Sequence, residues 1–269
     1  MAKLKLVGVA AALVLSVAAV GTADAAQCGS NAGGFGRWKA DFGKEAARNG
    51  VGRAGLAALA GTSYSTRTIA ADRGQKSFKY TLDKFMQVRG GAAIAQSGKS
   101  MKRQNAKLFA SIERRYGVPA GPLIAIWGME SQFGRNMGNV NVVSAVATLA
   151  YDCRRSEYFT GHLYAALKLV DRGSLSPATV GAAHGEVGQT QFLAGNVLKY
   201  GVDGDGNGRI DLRTKADALA STANFLRAHG WRPGAGYQPG QPNFRALQGW
   251  NAASVYQQAI AKIAAQIDG

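Results

Sequence analysis

Apolar residues recur along this chain at helical rather than strand spacing. Between Lys102 and Tyr116 the side chains of Leu108, Phe109, Ile112 and Tyr116 share one face, and Gly117 supplies the stop. A second helix is predicted to start near Pro122, because proline suits a first helical turn, and to run to about Phe133. Further helices are predicted around Leu163, Ala166, Leu167 and Val170, around Leu219, Ala223 and Leu226, and around Val255, Tyr256, Ala259, Ile260 and Ile263. Within the Gly- and Ala-rich stretch 26–60, a helix is predicted over Phe35–Arg48. Alternating strand patterns are scarce, so the predicted class is mainly α, with irregular Gly-rich segments between helices. The stretch from Gly230 to Pro242, with three prolines and four glycines, reads as an ordered surface loop. Neither an internal repeat nor a coiled-coil heptad is visible.

The first residues change the picture of where the chain works. Met1-Ala2-Lys3-Leu4-Lys5, the apolar run Leu6 to Val20 and Ala23-Asp24-Ala25 stand in the order of an export signal, predicted over residues 1–25. The run is shorter than the roughly 18 to 20 apolar residues of a spanning helix, and no second one follows, so no stable membrane anchor is expected. Gln27 ahead of Cys28 argues against a lipid anchor. A soluble periplasmic monomer is expected.

The whole chain carries 32 Lys and Arg against 16 Asp and Glu, net +16. Losing Lys3, Lys5 and Asp24 with the signal leaves 30 against 15, net +15. Such a basic surface favours anionic partners, and export excludes nucleic acid among them; charge that serves solubility alone is the competing reading. The two cysteines, Cys28 and Cys153, suggest one disulfide in an oxidising compartment, against two unrelated buried thiols.

Candidate chemistry centres on Glu130. Leu123, Ile126, Trp127 and Glu130 fall at i, i+3, i+4 and i+7, which puts a carboxylate on the stripe predicted to face inward. Desolvation there raises a carboxyl pKa toward the range useful for acid–base work. A helix-end glutamate paired with Arg135 explains the spacing equally well. Neither a Gly-x-Ser-x-Gly nor a His-Glu-x-x-His motif occurs, and His162, His184 and His229 lie far apart in sequence.

A second motif, Asp203-Gly204-Asp205-Gly206-Asn207-Gly208-Arg209-Ile210-Asp211, has oxygen-bearing side chains at loop positions 1, 3 and 5, glycine at 6 and an apolar residue at 8. That is the pattern of an EF-hand-like calcium loop, with the Arg209 carbonyl at position 7. Thr214 stands where the closing glutamate belongs, so a metal-free loop of Asx turns is the alternative.

Several motifs in order resemble a known family. They are Tyr116-Gly117-Val118-Pro119, Ile126 to Gly134, Ala147 to Tyr151 with Arg154-Arg155, Gly188-Gln189-Thr190-Gln191-Phe192, and Asn251 to Tyr256. The chain is similar to lytic transglycosylases of the membrane-bound lytic transglycosylase B type, whose core is lysozyme-like. The similarity begins near Gln75, which suggests an N-terminal helical arm over 26–74 and a lysozyme-like domain over 75–269.

The resemblance implies peptidoglycan glycan strands as the partner. It also implies cleavage of the β-1,4 bond between N-acetylmuramic acid and N-acetylglucosamine without water, leaving a 1,6-anhydro end. Glu130 would be the only catalytic carboxylate, and Gln191, Phe192, Asn251 and Tyr256 would line the sugar cleft. The chemistry would need no cofactor; calcium would be structural, with Asp217 closing the site of Asp203, Asp205, Asn207 and Arg209.

One departure stands out. Where relatives place a hydroxyl after the glycine, this chain reads Gly181-Ala182, followed by Ala183-His184-Gly185-Glu186. Two other readings therefore stay open: a muramidase using Glu186 or Asp152 as a second carboxylate, and a non-catalytic wall-binding protein.

Overall fold

The computed structural model describes residues 26–74 and 79–269; the expected export signal over 1–25 and the expected boundary at 75 lie outside them. Among the described residues thirteen α-helices run in the order α1 Phe35–Arg48, α2 Arg53–Ala60, α3 Thr66–Arg73, α4 Leu82–Arg89, α5 Gly91–Gln104, α6 Ala106–Tyr116, α7 Ala120–Ser131, α8 Val142–Tyr151, α9 Ser156–Asp171, α10 Ala194–Tyr200, α11 Lys215–Ala228, α12 Phe244–Trp250 and α13 Ser254–Asp268. Among the described residues the only sheet is the antiparallel pair β1 Val140–Asn141 and β2 Val180–Gly181. The mainly α class and the helix over Phe35–Arg48 agree with the sequence reading. No helix among the described residues is long and apolar enough to cross a membrane.

At the centre lies α7, where every residue from Ala120 to Met129 is buried against α5, α6, α11 and α13. A helix apolar on all sides belongs inside a core, and this one has no polar face to offer solvent. The inward stripe expected from spacing is therefore the visible part of a fully enclosed helix, and Glu130 sits at the one end that opens.

Two boundaries differ from expectation. The helix expected from Lys102 is broken at Asn105, whose side-chain amide donates to the Met101 carbonyl at 2.8 Å and closes α5 there. At its far end Gly117 adopts φ +70°, and a Cβ on it would lie 2.4 Å from Pro233 Cγ, so the stop read from sequence is also a packing requirement. The next helix ends at Ser131 rather than Phe133, since Gln132 and Phe133 take φ of 52° and 62°. That reversal folds Phe133 back edge-on to Trp127, with ring centroids 5.2 Å apart. Pro122 lies in the first turn, where the backbone donors it lacks have no partner anyway.

The N-terminal stretch is part of the same core. Phe35, Trp38 and Phe42 of α1 stack in sequence, and Trp38 packs on Tyr151 at the end of α8. Cys28 and Cys153 form a disulfide spanning 125 residues. Beside it the Gly29 N–H donates to the Tyr151 carbonyl at 2.9 Å, and the Cys153 N–H donates back to the Gly29 carbonyl at 3.1 Å. The core runs unbroken from Phe35 to Ile267.

Candidate active site

A cleft of about 450 Å³ opens at the C-terminal end of α7, within the size range of small-ligand sites. Glu130 forms part of its floor. Its Oε1 accepts a hydrogen bond from Tyr256 Oη at 2.6 Å and another from Trp250 Nε1 at 3.0 Å. Among the described residues both donors to this carboxyl fall on Oε1.

Burial is the main force on this carboxyl and raises its pKa. The two hydrogen bonds and Arg89 act against burial, while the charge on Glu186 adds to it. The Tyr256 hydroxyl is pushed well above its ordinary value by burial and by the Glu130 carboxylate beside it, so it stays a donor. Arg135 does not pair with Glu130: its Nε donates to the Gln132 carbonyl at 3.1 Å. The ion-pair reading of the spacing is corrected accordingly.

The sequence-predicted cleft residues converge on this opening, each in its own way. Tyr256 reaches Glu130 because α13 packs along α7, and its ring lies edge-on to Phe85 of α4 at 5.7 Å. Asn251 lines the cleft, but its Oδ1 accepts from the Ala253 N–H at 2.9 Å and its carbonyl accepts from Gln257 at 2.8 Å. It thereby shapes the short link that sets α12 against α13. Phe192 is only 2% exposed and backs Trp250 at 5.3 Å, so it gives the wall its shape rather than its surface.

Gln191 lines the cleft from a tight turn, with φ +57° and its amide donating to the Gly188 carbonyl at 2.6 Å. This turn is clamped by Gln189. The Gln189 Oε1 accepts from Trp127 Nε1 at 2.8 Å, and its Nε2 donates to the Arg213 carbonyl at 2.7 Å.

Arg89, Arg155, Tyr158, Asn196 and Trp250 also line the cleft and carried no site role in the sequence reading. Of these, Arg155 left a signal as part of the Arg154-Arg155 motif, and Trp250 as the residue just before Asn251. Ala182 lines the cleft without a hydroxyl, and the donors on Glu130 come from Trp250 and Tyr256 instead. Asp152 is 4% exposed and bound to Arg73 at 2.7 Å and to the Arg154 N–H at 3.0 Å, away from the cleft lining. It cannot serve as a second carboxylate there. Glu186 does line the cleft.

The acidic loop lies behind the Gln189 turn. One carboxylate oxygen each from Asp203, Asp205 and Asp217 lies within 4.8 Å of the others. Asp217 is fully buried and accepts from the Gly204 N–H at 2.8 Å and the Asp211 N–H at 2.7 Å. Asp203 accepts three backbone donors, Gly206, Asn207 and Gly208, and its pKa is lowered, first by Gly208. The Asx-turn network is thus real, and it leaves three carboxylates gathered at one point. Such a set matches a hard divalent cation.

The sequence and the fold have counterparts among known proteins. The family model of the transglycosylase SLT domain matches residues 34–241. The membrane-bound lytic murein transglycosylase B of Escherichia coli (strain K12) is 37% identical over 137 residues, 48% of this chain and 38% of that protein. The match thus spans well under two thirds of the relative's length. SltB3 from Pseudomonas aeruginosa, solved in complex with NAG-anhNAM-pentapeptide, aligns with a TM-score of 0.80 at 29% identity over 87% of this chain and 80% of that one. The Escherichia coli lytic transglycosylase Slt35 in complex with calcium shares the fold at a TM-score of 0.71 and 22% identity, over 90% of this chain and 96% of that one.

Proposed function

This chain belongs to the transglycosylase SLT-domain family, and we propose on that footing that it is a lytic transglycosylase of the bacterial wall. Its substrate is the β-1,4 bond between N-acetylmuramic acid and N-acetylglucosamine, and its product a 1,6-anhydro end. The observation that carries the reading is the setting of Glu130: a cleft carboxyl whose Oε1 accepts from Tyr256 and Trp250 and whose pKa is raised by burial.

Desolvation favours the protonated form of Glu130, and the carboxyl delivers its proton to the glycosidic oxygen as the bond to C1 breaks. The Tyr256 and Trp250 donors then hold the carboxylate in the interval, where they are worth most because the acceptor is charged. The substrate's N-acetyl oxygen stabilises the cation at C1, and Gln191, which lines the cleft, would hold that group. Glu130 finally takes the proton of the C6 hydroxyl as O6 bonds to C1. Acid and base steps balance, and no water is consumed.

Digesting peptidoglycan sacculi with the purified mature protein tests this. Ends lighter by one water than hydrolysed muramic acid are the expected product. Ordinary reducing ends alone would sink the transglycosylase reading, and no release at all would favour a wall-binding protein.

The same footing extends to the surroundings. The Cys28–Cys153 disulfide supports export to the periplasm. Asp203, Asp205, Asn207 and Asp217, with the Arg209 carbonyl, would hold a structural calcium ion that neutralises the gathered carboxylates and stiffens the loop behind Gln189. A monomer without a membrane anchor completes the proposal.

A further inference from the structure

Glu186 is a cleft carboxylate to which the transglycosylase reading gives no task. Its position is fixed by the turn after β2. The Ala182 N–H donates to the Glu186 carbonyl at 2.9 Å, and the Gly185 N–H donates to the Ala182 carbonyl at 3.0 Å. Gly185 has φ +84°, and a Cβ there would lie 2.4 Å from Val146 Cγ2, so the turn is pressed onto α8.

His184 then holds the carboxylate itself. Its backbone N–H donates to Oε2 at 3.0 Å, and its ring Nδ1 lies 3.2 Å from Oε1. Behind the ring, Nε2 is buried without a hydrogen-bond partner among the described residues, 3.8 Å from Asp72 Oδ1. Asp72 has a side chain 2% exposed, held by the guanidinium groups of Arg154 and Arg155. A line from Asp72 through His184 to Glu186 therefore runs from a buried ion-pair node out to the cleft.

The end of that line is wet: the Glu186 side chain is 23% exposed. A carboxylate offers about four lone-pair sites, and the two His184 contacts leave one on each oxygen free to accept from water. A carboxylate oriented by an imidazole, with a second carboxylate behind the ring, has the form of a positioned general base. The two cleft carboxyls also divide naturally, since charge on Glu186 helps keep the proton on Glu130.

We propose that Glu186, oriented by His184, activates a water molecule in this cleft, so that a fraction of the bonds opened are hydrolysed to reducing muramic acid ends. This rests on the reading that Glu130 protonates the glycosidic oxygen. In the hydrolytic branch Glu130 gives its proton to the leaving oxygen as the bond from C1 to that oxygen breaks. The water oxygen bonds to C1 and its proton passes to Glu186, which releases it to solvent while solvent returns a proton to Glu130. The branch competes with closure by the C6 hydroxyl for the same cation, so the two products report on one partition. Two carboxylates flanking a glycosidic bond are the general requirement for hydrolysis.

The test is digestion of sacculi in heavy-oxygen water, counting labelled reducing ends against anhydro ends by mass spectrometry. The wild-type protein is expected to make both. Glu186→Gln should lower the ratio of labelled to anhydro ends by about a hundredfold, the scale of one general base. His184→Ala, which removes the ring contact to Glu186 Oε1 but keeps the backbone donor to Oε2, should lower the same ratio by a smaller factor. Because the readout is a ratio, a general loss of rate does not mimic it. Anhydro ends alone from the wild type, or an unchanged ratio in Glu186→Gln, would overturn the proposal while leaving the transglycosylase reading intact. Labelled ends alone would keep Glu186 in its role and remove the transglycosylase reading. No product of either kind from Glu186→Gln would place the residue in the shared step and overturn the branch.

Discussion

Removing the Tyr256 hydroxyl isolates the contribution of one donor to Glu130. Phenylalanine fits the same buried position, 3% exposed, and keeps the packing on Phe85. What is lost is a 2.6 Å hydrogen bond to a carboxyl that is charged only after it has given up its proton. A hydrogen bond to a charged group contributes about 1.5–3 kcal/mol, which corresponds to a rate loss of roughly ten- to a hundredfold if the bond acts in the transition state.

The pH profile moves with it. Glu130 must start protonated, and its pKa is already raised by burial against the pull of Tyr256 and Trp250. Deleting a donor that favours the charged form raises it further, so the limb along which activity falls with rising pH should shift upward. The assay is the rate of anhydro-end release from sacculi across pH, for wild type and Tyr256→Phe. A rate within twofold of wild type, or a limb that moves downward, refutes the role given to this hydroxyl.

Three other outcomes are expected. Glu130→Gln should abolish cleavage and yet raise the melting temperature at neutral pH. A carboxyl with a raised folded-state pKa contributes stability that is full below its unfolded pKa and lost as pH climbs through the folded value. The gain should accordingly vanish in acid, and equal melting curves at both pH values would contradict it. Asp203→Ala should lower the melting temperature without calcium, because three backbone donors lose their acceptor, and should in addition shrink the rise that calcium gives the wild type; an identical calcium response in both proteins would remove the metal site. Replacing Cys28 and Cys153 by serine opens a loop spanning 125 residues and should cost about 2–5 kcal/mol in denaturant unfolding, and a loss below about 1 kcal/mol would show that the aromatic stack of α1 holds the arm without it.

Local pattern was enough for the parts of this molecule that depend on one element at a time. The apolar spacing located α6, α7, α9, α11 and α13, though not α5, because a helix reports its own buried face every three or four residues. Two cysteines behind an expected export signal left a single pairing to expect. The spacing of Glu130 marked a carboxylate where solvent should not be, and the Asp203 loop declared its oxygen positions in order.

What tertiary structure decided is everything that needs two elements at once. Spacing around Glu130 suited an ion pair with Arg135 as well as a cleft, and the choice was made by Trp250 and Tyr256, which lie 120 and 126 residues away in the chain. Arg89, Arg155, Tyr158 and Asn196 join them only because α4, α9 and α10 meet at one opening. The break at Asn105 was hidden for the same reason: both flanking helices keep an apolar face, and one side-chain amide ends the first of them. Asp152 and Glu186 looked alike as spare carboxylates. Burial against Arg73 withdrew the first, and a glycine turn set the second into the cleft. A linear pattern records which side of its own element a residue faces, whereas convergence is fixed by how α13 lies against α7, and that is a property of the packed core.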